Sequence, residues 1–259
     1  MRRMPEGAGL SWSNVCKVYE GAQGATQALD GFTLDVGPGE SVAVLGPSGC
    51  GKSTALRIAS GLAAPTSGSV AVNGRPIASP RRATALILQD FGLLPWKTVA
   101  QNAGLGLQIR HASASVRRER VAQALATVGL ADFADAYPSE LSGGMRQRLA
   151  MARALTCDTD VLLMDEPLSA LDAFLREEMQ SMLKGTWEKE GYSQVIVTHS
   201  VEEAVFLGQR VVVVSPRPGR IVYALENSEM TDAAWRDSDL FFERCRTLRA
   251  VLHGRGNHA

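Results

Sequence analysis

Zinc chemistry and disulfide frameworks find little material in this chain. It has four cysteines, Cys16, Cys50, Cys157 and Cys245, and none stands in a CxxC pair or at a Cys/His ligand spacing. Scattered thiols of this kind predict free cysteines in a reducing compartment. Histidine is equally scarce, at positions 111, 199, 253 and 258 alone, which argues against a histidine-rich metal centre. Neither charge is in excess: 27 basic side chains face 27 acidic ones. A nonspecific nucleic-acid binder displaces counterions with surplus Lys and Arg, so no nucleic-acid partner is expected. Long apolar runs are missing too. The longest, such as Val211 to Val214, are strand-sized, whereas a membrane helix needs about 20 residues. The start, MRRMPEGAGL, is basic but opens onto no apolar signal core. Any link to a membrane is therefore expected to run through a partner.

What is present is an α/β alternation without internal repeats, in 259 residues that suffice for one substantial core or two modest subdomains. Leu10 to Val18 and Ala28 to Val36 read as strands, and Ser41 to Leu45 as a buried one. A Gly/Ser/Pro loop and a helix from about Lys52 to Ser60 follow, stopped by Gly61. Thr66 to Val72 with the Asn73-Gly74 turn suggests a small antiparallel β region, and Ala83 to Leu88 a further strand. From about 96 to 156 the pattern becomes helical. Ser115 is the expected cap of a helix carrying Val121, Leu125 and Val128 on one side, and a second helix starts just after Ser142-Gly143-Gly144. Strands return at Val161 to Met164, Val195 to Val197 and Val211 to Val214. Between them Asp172 caps one helix, and Ser200 with Glu203 forms a capping box for another. Uniformly apolar strands alternating with helices imply a mainly parallel, covered sheet. The expected division is an α/β core of about 8–95 and 157–225, a helical subdomain of about 96–156, and a C-terminal helix (Asp239 to Leu252) with a loose tail within 226–259.

Gly46-Pro47-Ser48-Gly49-Cys50-Gly51-Lys52-Ser53-Thr54 matches GxxxxGK[ST] between a buried strand and a helix, the context of a P-loop. Its glycines let backbone N–H groups converge on phosphate oxygens, and the helix N-terminus adds its dipole. Lys52 is expected to reach the β- and γ-phosphates and Ser53 to ligate Mg²⁺, so ATP and Mg²⁺ are the expected ligands. Cys50 reads as a space-filler rather than a nucleophile. The strand Val161 to Met164 ends in Asp165-Glu166, which places Asp165 for the Mg²⁺ shell and Glu166 to polarise the attacking water. His199, after what reads as an edge strand, is a candidate γ-phosphate sensor. Gln89 is a candidate for Mg²⁺ or the lytic water, and Tyr19 for stacking on adenine. Leu141 to Gln147 reads only as small residues before a helix, an anion-binding geometry. A chain with its own P-loop does not need a second such site for the same phosphate, so the segment suits the phosphate of a second copy.

In order, these segments resemble the ATP-binding subunits of ABC transporters from about Leu10 to about Ala224. Tyr19 corresponds to the adenine-stacking aromatic, Gly46 to Thr54 to Walker A, and Gln89 to the Q-loop. Leu141 to Gln147 corresponds to the signature, Val161 to Glu166 to Walker B, Ser169-Ala170-Leu171-Asp172 to the D-loop, and His199 to the switch histidine. Met145 stands where many relatives have Gln, with Ser142 and Gly144 intact. The resemblance implies a P-loop ABC-type ATPase. Two subunits would close head-to-tail over two ATP molecules, each held by Walker A of one copy and Ser142, Gly143 and Gly144 of the other. Glu166 would act as base, His199 and Lys52 at the γ-phosphate, and Gln89 as metal contact and coupler to the permease. Exposed Phe91, Leu93, Leu94 and Trp96 would fit the permease contact, the alternative being that half of them pack within the subdomain.

Four further segments look like the branch that energises nitrate, sulfonate and taurine uptake. They are Gln89 to Trp96, Leu171 to Glu177, His199 to Phe206 and Ser215 to Ile221. That branch implies integral membrane permease subunits, an extracytoplasmic solute-binding protein, and a peripheral position on the cytoplasmic face of the bacterial inner membrane. No long extra domain of the kind sugar-importer ATPases carry is expected, only the short C-terminal helix. The rival is a soluble ABC ATPase in nucleic-acid or cluster-assembly processes. Nucleic-acid members usually carry long coiled coils or two ATPase halves, and neither is expected here.

Overall fold

In a computed structural model, residues 9–21, 24–169, 171–231 and 234–254 are described. The basic start, Ala170 of the Ser169-to-Asp172 segment and the end of the expected tail lie outside them. The chain opens with β1 (Leu10–Gly21), β2 (Gly24–Val36) and β3 (Ser41–Leu45), followed by α1 (Lys52–Ala59). Next come β4 (Ser67–Val72), β5 (Arg75–Pro76) and β6 (Thr84–Ile87). A helical stretch holds α2 (Val99–Ala103), α3 (Leu105–Ile109), α4 (Ala114–Thr127) and α5 (Gly143–Leu155). Then β7 (Val161–Asp165), α6 (Ala173–Glu190), β8 (Ser193–Thr198), α7 (Val201–Leu207) and β9 (Arg210–Val214) alternate, and β10 (Ile221–Glu226) and α8 (Asp239–His253) close the chain.

The strands make two sheets, one four-stranded in the order β2-β1-β4-β5 and one six-stranded in the order β10-β9-β3-β8-β7-β6. The first is antiparallel, and in the second every pairing is parallel except β10 with β9. Period-two alternation explains why the parallel strands are apolar throughout. Val42, Val44, Val161, Leu163, Val195, Val197, Val212 and Val214 point to one core, shared with α1 and the antiparallel sheet. Ala43, Leu45, Leu162, Met164, Ile196, Val211 and Val213 point to the other, shared with α4 to α8. A strand covered on both faces has no side for polar residues. Trp12 Nε1, donating to Ala55 O at 3.1 Å, fastens the antiparallel sheet to α1. On the far side α8 buries Phe241, Cys245 and Leu248 along one stripe. Among the described residues no helix is long and apolar enough to cross a membrane.

Several expectations need correction. β8 lies inside the sheet, between β3 and β7, so His199 does not follow an edge strand. Ser113 rather than Ser115 caps α4. Ser113 has the extended backbone a cap requires and accepts from Val116 N at 3.4 Å, while Ser115 is already within the first turn. Only half of the capping box at α7 forms: Ser200 Oγ accepts from Glu203 N (3.2 Å), but the Glu203 carboxylate turns inward to Thr198. Of the four apolar residues offered for the permease contact, Phe91 and Leu93 take the packed alternative and lie against the core, and Trp96 stays 70% exposed. Arg153 of α5 donates to Phe91 O and Gly92 O, and the buried Asn102 amide binds Leu94 N, Leu94 O and Lys97 O, so the loop is tied to α5 and α2. β10 was not foreseen, because Ile221–Glu226 shows little alternation.

Candidate nucleotide site

The parallel strands bring their carboxyl ends to one rim of the sheet, where such folds bind ligands. Leu45 pairs with Thr198, Asp165 with Val197 and Ile87 with Met164, so the segments after β3, β8, β7 and β6 emerge together. At the end of β3 the chain turns into α1 through Gly49 (φ +78°) and Gly51 (φ +106°). Gly51 stands at the helix N-cap without any side-chain cap, which leaves the first N–H groups of α1 for another acceptor. A Cβ on Gly51 would come within 2.5 Å of Ala28 O, so only glycine fits. Lys52 folds back over this loop and donates from Nζ to Gly46 O (2.7 Å) and Pro47 O (2.8 Å). Cys50 lies buried beneath, and burial pushes its thiol above the ordinary range, so it acts as packing.

Ser53 Oγ donates to Asp165 Oδ1 at 2.8 Å. Burial raises the Asp165 carboxyl, opposed by this hydrogen bond and reinforced by the charge of Glu166. Glu166 has φ +49°, a left-handed conformation unusual for a side-chain-bearing residue, and its N donates to Val197 O (2.9 Å). Backbone strain of this kind collects at functional positions. It brings Glu166 Oε2 to 3.3 Å from His199 Nδ1. Behind His199, Thr198 Oγ1 donates to Glu203 Oε2 (2.9 Å) and accepts from Ser200 N (3.0 Å). The Glu203 carboxyl is pushed up to about 7 by burial and the charge of Glu166, with Thr198 and Arg176 opposing.

A cavity of about 400 Å³ brings the loop after β3 together with Glu166, and His199 is not among its lining residues but meets it through Glu166. Of the residues singled out in the sequence, Ser48, Gly49, Gly51, Lys52, Ser53 and Thr54 line its floor, and Gln89, Glu166 and Tyr19 its walls. The Tyr19 ring is 40% exposed, with Lys17 Nζ over it at 5.0 Å and that ammonium tied to Ala64 O (2.8 Å). Gly46, Pro47 and Cys50 support the loop from outside the lining, and Asp165 stands just behind Ser53. Thr26, Ala28 and Arg217 also line the cavity and were not foreseen. Arg217 belongs to the quoted Ser215-to-Ile221 segment, whose chemistry depends on a contact with Gly49 that no spacing reveals.

Ser142, Gly143 and Gly144 are not among the residues lining this cavity. Ser142 is exposed and caps α5, accepting from Met145 N at 3.2 Å. Gly144 is buried against α6, where a Cβ would lie 2.3 Å from Leu175 Cδ2 and displace that side chain. Asp172 caps α6 through Leu175 N (3.0 Å).

The donor set fits a nucleoside triphosphate with Mg²⁺. Uncapped N–H groups and a buried ammonium meet phosphate. One hydroxyl and one carboxylate already in contact are the kind of ligands Mg²⁺ takes when phosphates supply the rest.

A family model described as ABC transporter matches residues 29–169, more than half of the chain. The chain belongs to the ABC transporter family. Its ATP-binding relatives include the taurine import ATP-binding protein TauB of Chromobacterium violaceum, 47% identical over 84% of this chain and 83% of the relative. TauB of Burkholderia pseudomallei is 46% identical over 83% of each. An ABC transporter ATP-binding protein of Methanocaldococcus jannaschii is 44% identical over 82% of this chain and 79% of the relative. Among solved structures, the ATP-binding cassette MJ0796, a dimer bound to ADP and Pi, superimposes with a TM-score of 0.77 at 32% identity. That match covers 84% of this chain and 98% of MJ0796. This ABC subunit is thus an ATPase of a transport system, with a mainly parallel P-loop core, an antiparallel N-terminal sheet and a helical subdomain.

Proposed function

We propose that this ABC ATPase powers uptake of a small solute, of the taurine, sulfonate or nitrate kind, through separate integral membrane permease subunits. The observation that carries the uptake reading is the 47% identity with a taurine import ATP-binding protein over 84% of the chain. The subunit would sit peripherally on the cytoplasmic face of the bacterial inner membrane. An extracytoplasmic binding protein would deliver the solute to the permease without touching this chain. A cytoplasmic segment of the permease would dock near Gln89, a reading supported by the 70% exposed Trp96 close to it in sequence.

In this reading two copies close head-to-tail, and Ser142 to Gly144 of each complete the cavity of the other. The dimeric state of the similar cassette and the exposed Ser142 at the N-terminus of α5 support it. Tyr19 stacks on the adenine. Lys52 would exchange its carbonyl acceptors for β- and γ-phosphate oxygens, and Ser53, Asp165 and Gln89 would hold Mg²⁺, which would supply neutralisation of phosphate charge. Glu166 takes the proton of a water whose oxygen bonds to the γ-phosphorus while the bond to the β–γ bridging oxygen breaks, releasing ADP and phosphate. His199, close to Glu166 Oε2, orients that carboxylate and the γ-phosphate.

The test is to solubilise membranes holding the tagged native complex, identify its components by mass, and measure ATP-driven uptake after reconstitution. A multi-span permease and uptake are expected. Recovery of only soluble partners or nucleic acid would overturn the import reading and favour a non-transport ABC ATPase.

A further inference from the structure

The loop between β9 and β10 is pinned between two other segments. Gly219 N donates to Ala28 O (2.9 Å), and Asp30 N donates to Gly219 O (3.2 Å). Against the phosphate-binding loop Gly219 fits only because it lacks a side chain, as a Cβ would come within 2.2 Å of Cys50 O. Ser215 closes the loop from within: its Oγ accepts from Arg220 N (3.0 Å) and its N donates to Arg220 O (2.9 Å). Arg220 in turn pairs with Asp30. β2 therefore holds this loop on one side and Walker A on the other.

Arg217 is the side chain this arrangement delivers to the cavity. Its Nε donates to Gly49 O at 3.0 Å, and it lines the same space as Tyr19 and Lys52. Arg210, at the start of β9, and Arg220, at the end of this connection, are neutralised by Glu40 and Asp30. Among the described residues no carboxylate stands within ion-pair distance of Arg217. The bond to Gly49 uses one of five guanidinium N–H donors and leaves the terminal pair of nitrogens for a ligand. The charged side chains lining the cavity are then Lys52 and Arg217 against Glu166 alone. That excess of positive charge suits an anion, and a planar guanidinium matches phosphate oxygens with paired donors.

We propose that Arg217 is a nucleotide-binding residue whose guanidinium hydrogen-bonds the polyphosphate of the nucleotide held between Tyr19 and Lys52. This rests on the cavity being the ATP site. Because Arg217 also holds Gly49 O, nucleotide binding would draw the β9–β10 connection and Walker A together.

The experiment compares the full-length chain with R217A, R217Q and K52A. Calorimetry gives the ATP dissociation constant at two salt concentrations, and thermal unfolding without nucleotide reports folding. R217Q keeps an amide donor for Gly49 O and loses the charge, so its ligand-free melting point should match the parent. Its ATP affinity should fall about tenfold to a hundredfold, with a flatter dependence on salt. An affinity within twofold of the parent with the same salt dependence would overturn the inference, as would a loss in R217A that R217Q fully restores. If the parent binds no ATP, or K52A binds as the parent does, the ATP-site reading itself fails. If the parent binds ATP, K52A loses it and R217Q is unaltered, only the role of Arg217 fails.

Discussion

Glu166 Oε2 and His199 Nδ1 lie 3.3 Å apart at the ends of two adjacent parallel strands. The left-handed φ of Glu166 swings its carboxylate out of the strand direction that Asp165 follows. Two neighbouring carboxylates thus serve different surroundings. Asp165 faces the Ser53 hydroxyl, and Glu166 faces the imidazole and the cavity.

With Glu166 as the base, E166Q should lower phosphate release by about 10²- to 10⁴-fold and leave ATP binding intact. Light scattering should then detect a dimer that persists in Mg-ATP. H199A should lose turnover without losing that dimer. Normal hydrolysis by E166Q would remove Glu166 from the mechanism.

Glycines 51 and 185 should respond in opposite directions to alanine. At Gly51, φ is +106° and a Cβ would meet Ala28 O at 2.5 Å. G51A should lower the melting temperature by roughly 4–10 °C, from about 1–3 kcal/mol of backbone strain and the added clash. At Gly185, inside α6, a Cβ meets nothing within 4 Å. G185A should stabilise by about 0.5–1 kcal/mol. Differential scanning calorimetry of both variants checks the contrast, and equal effects would refute it.

Glu203 should make stability depend on pH. Its carboxyl rises from an ordinary 4.5 to about 7 in the folded chain, chiefly through burial, with Arg176 of α6 and Glu166 at the end of β7 as the charges facing it. The folded state therefore binds the proton more tightly than the unfolded one. This contribution is complete below about pH 4.5 and is lost as pH rises through about 7. E203Q, which cannot ionise, should flatten urea midpoints between pH 5 and 8. By pH 8 it should gain on the parent by on the order of 2–3 kcal/mol. Parallel pH profiles for the two proteins would refute the assignment.

Reading the sequence reached far because the phosphate-binding chemistry is local. A strand, a glycine loop, a lysine and a hydroxyl succeed one another within Ser41 to Ser53, and the backbone geometry that receives phosphate follows from that order. The two-faced core was equally legible, since apolar residues at every position of Val211 to Val214 leave no side of that strand for water. The half-formed capping box at Ser200 escaped, because Glu203 found a partner in Thr198 that local spacing does not report. Which of the apolar residues 91, 93, 94 and 96 would pack was not legible either, because Arg153, some sixty positions away, holds Phe91 O and Gly92 O.

By itself, then, the sequence determined most of the core strands and helices, though not β10, and the family, and it offered candidates to meet a triphosphate and its metal. These depend on neighbours a few positions apart and on side-chain chemistry. Only the tertiary structure decided which of those residues share one cavity, and that Ser142 to Gly144 are not among its lining residues. It alone set Asp165 against Ser53, 112 positions away, and Arg217 against Gly49, 168 away. Contacts over such separations are made by strand order and packing, which no short stretch of sequence encodes.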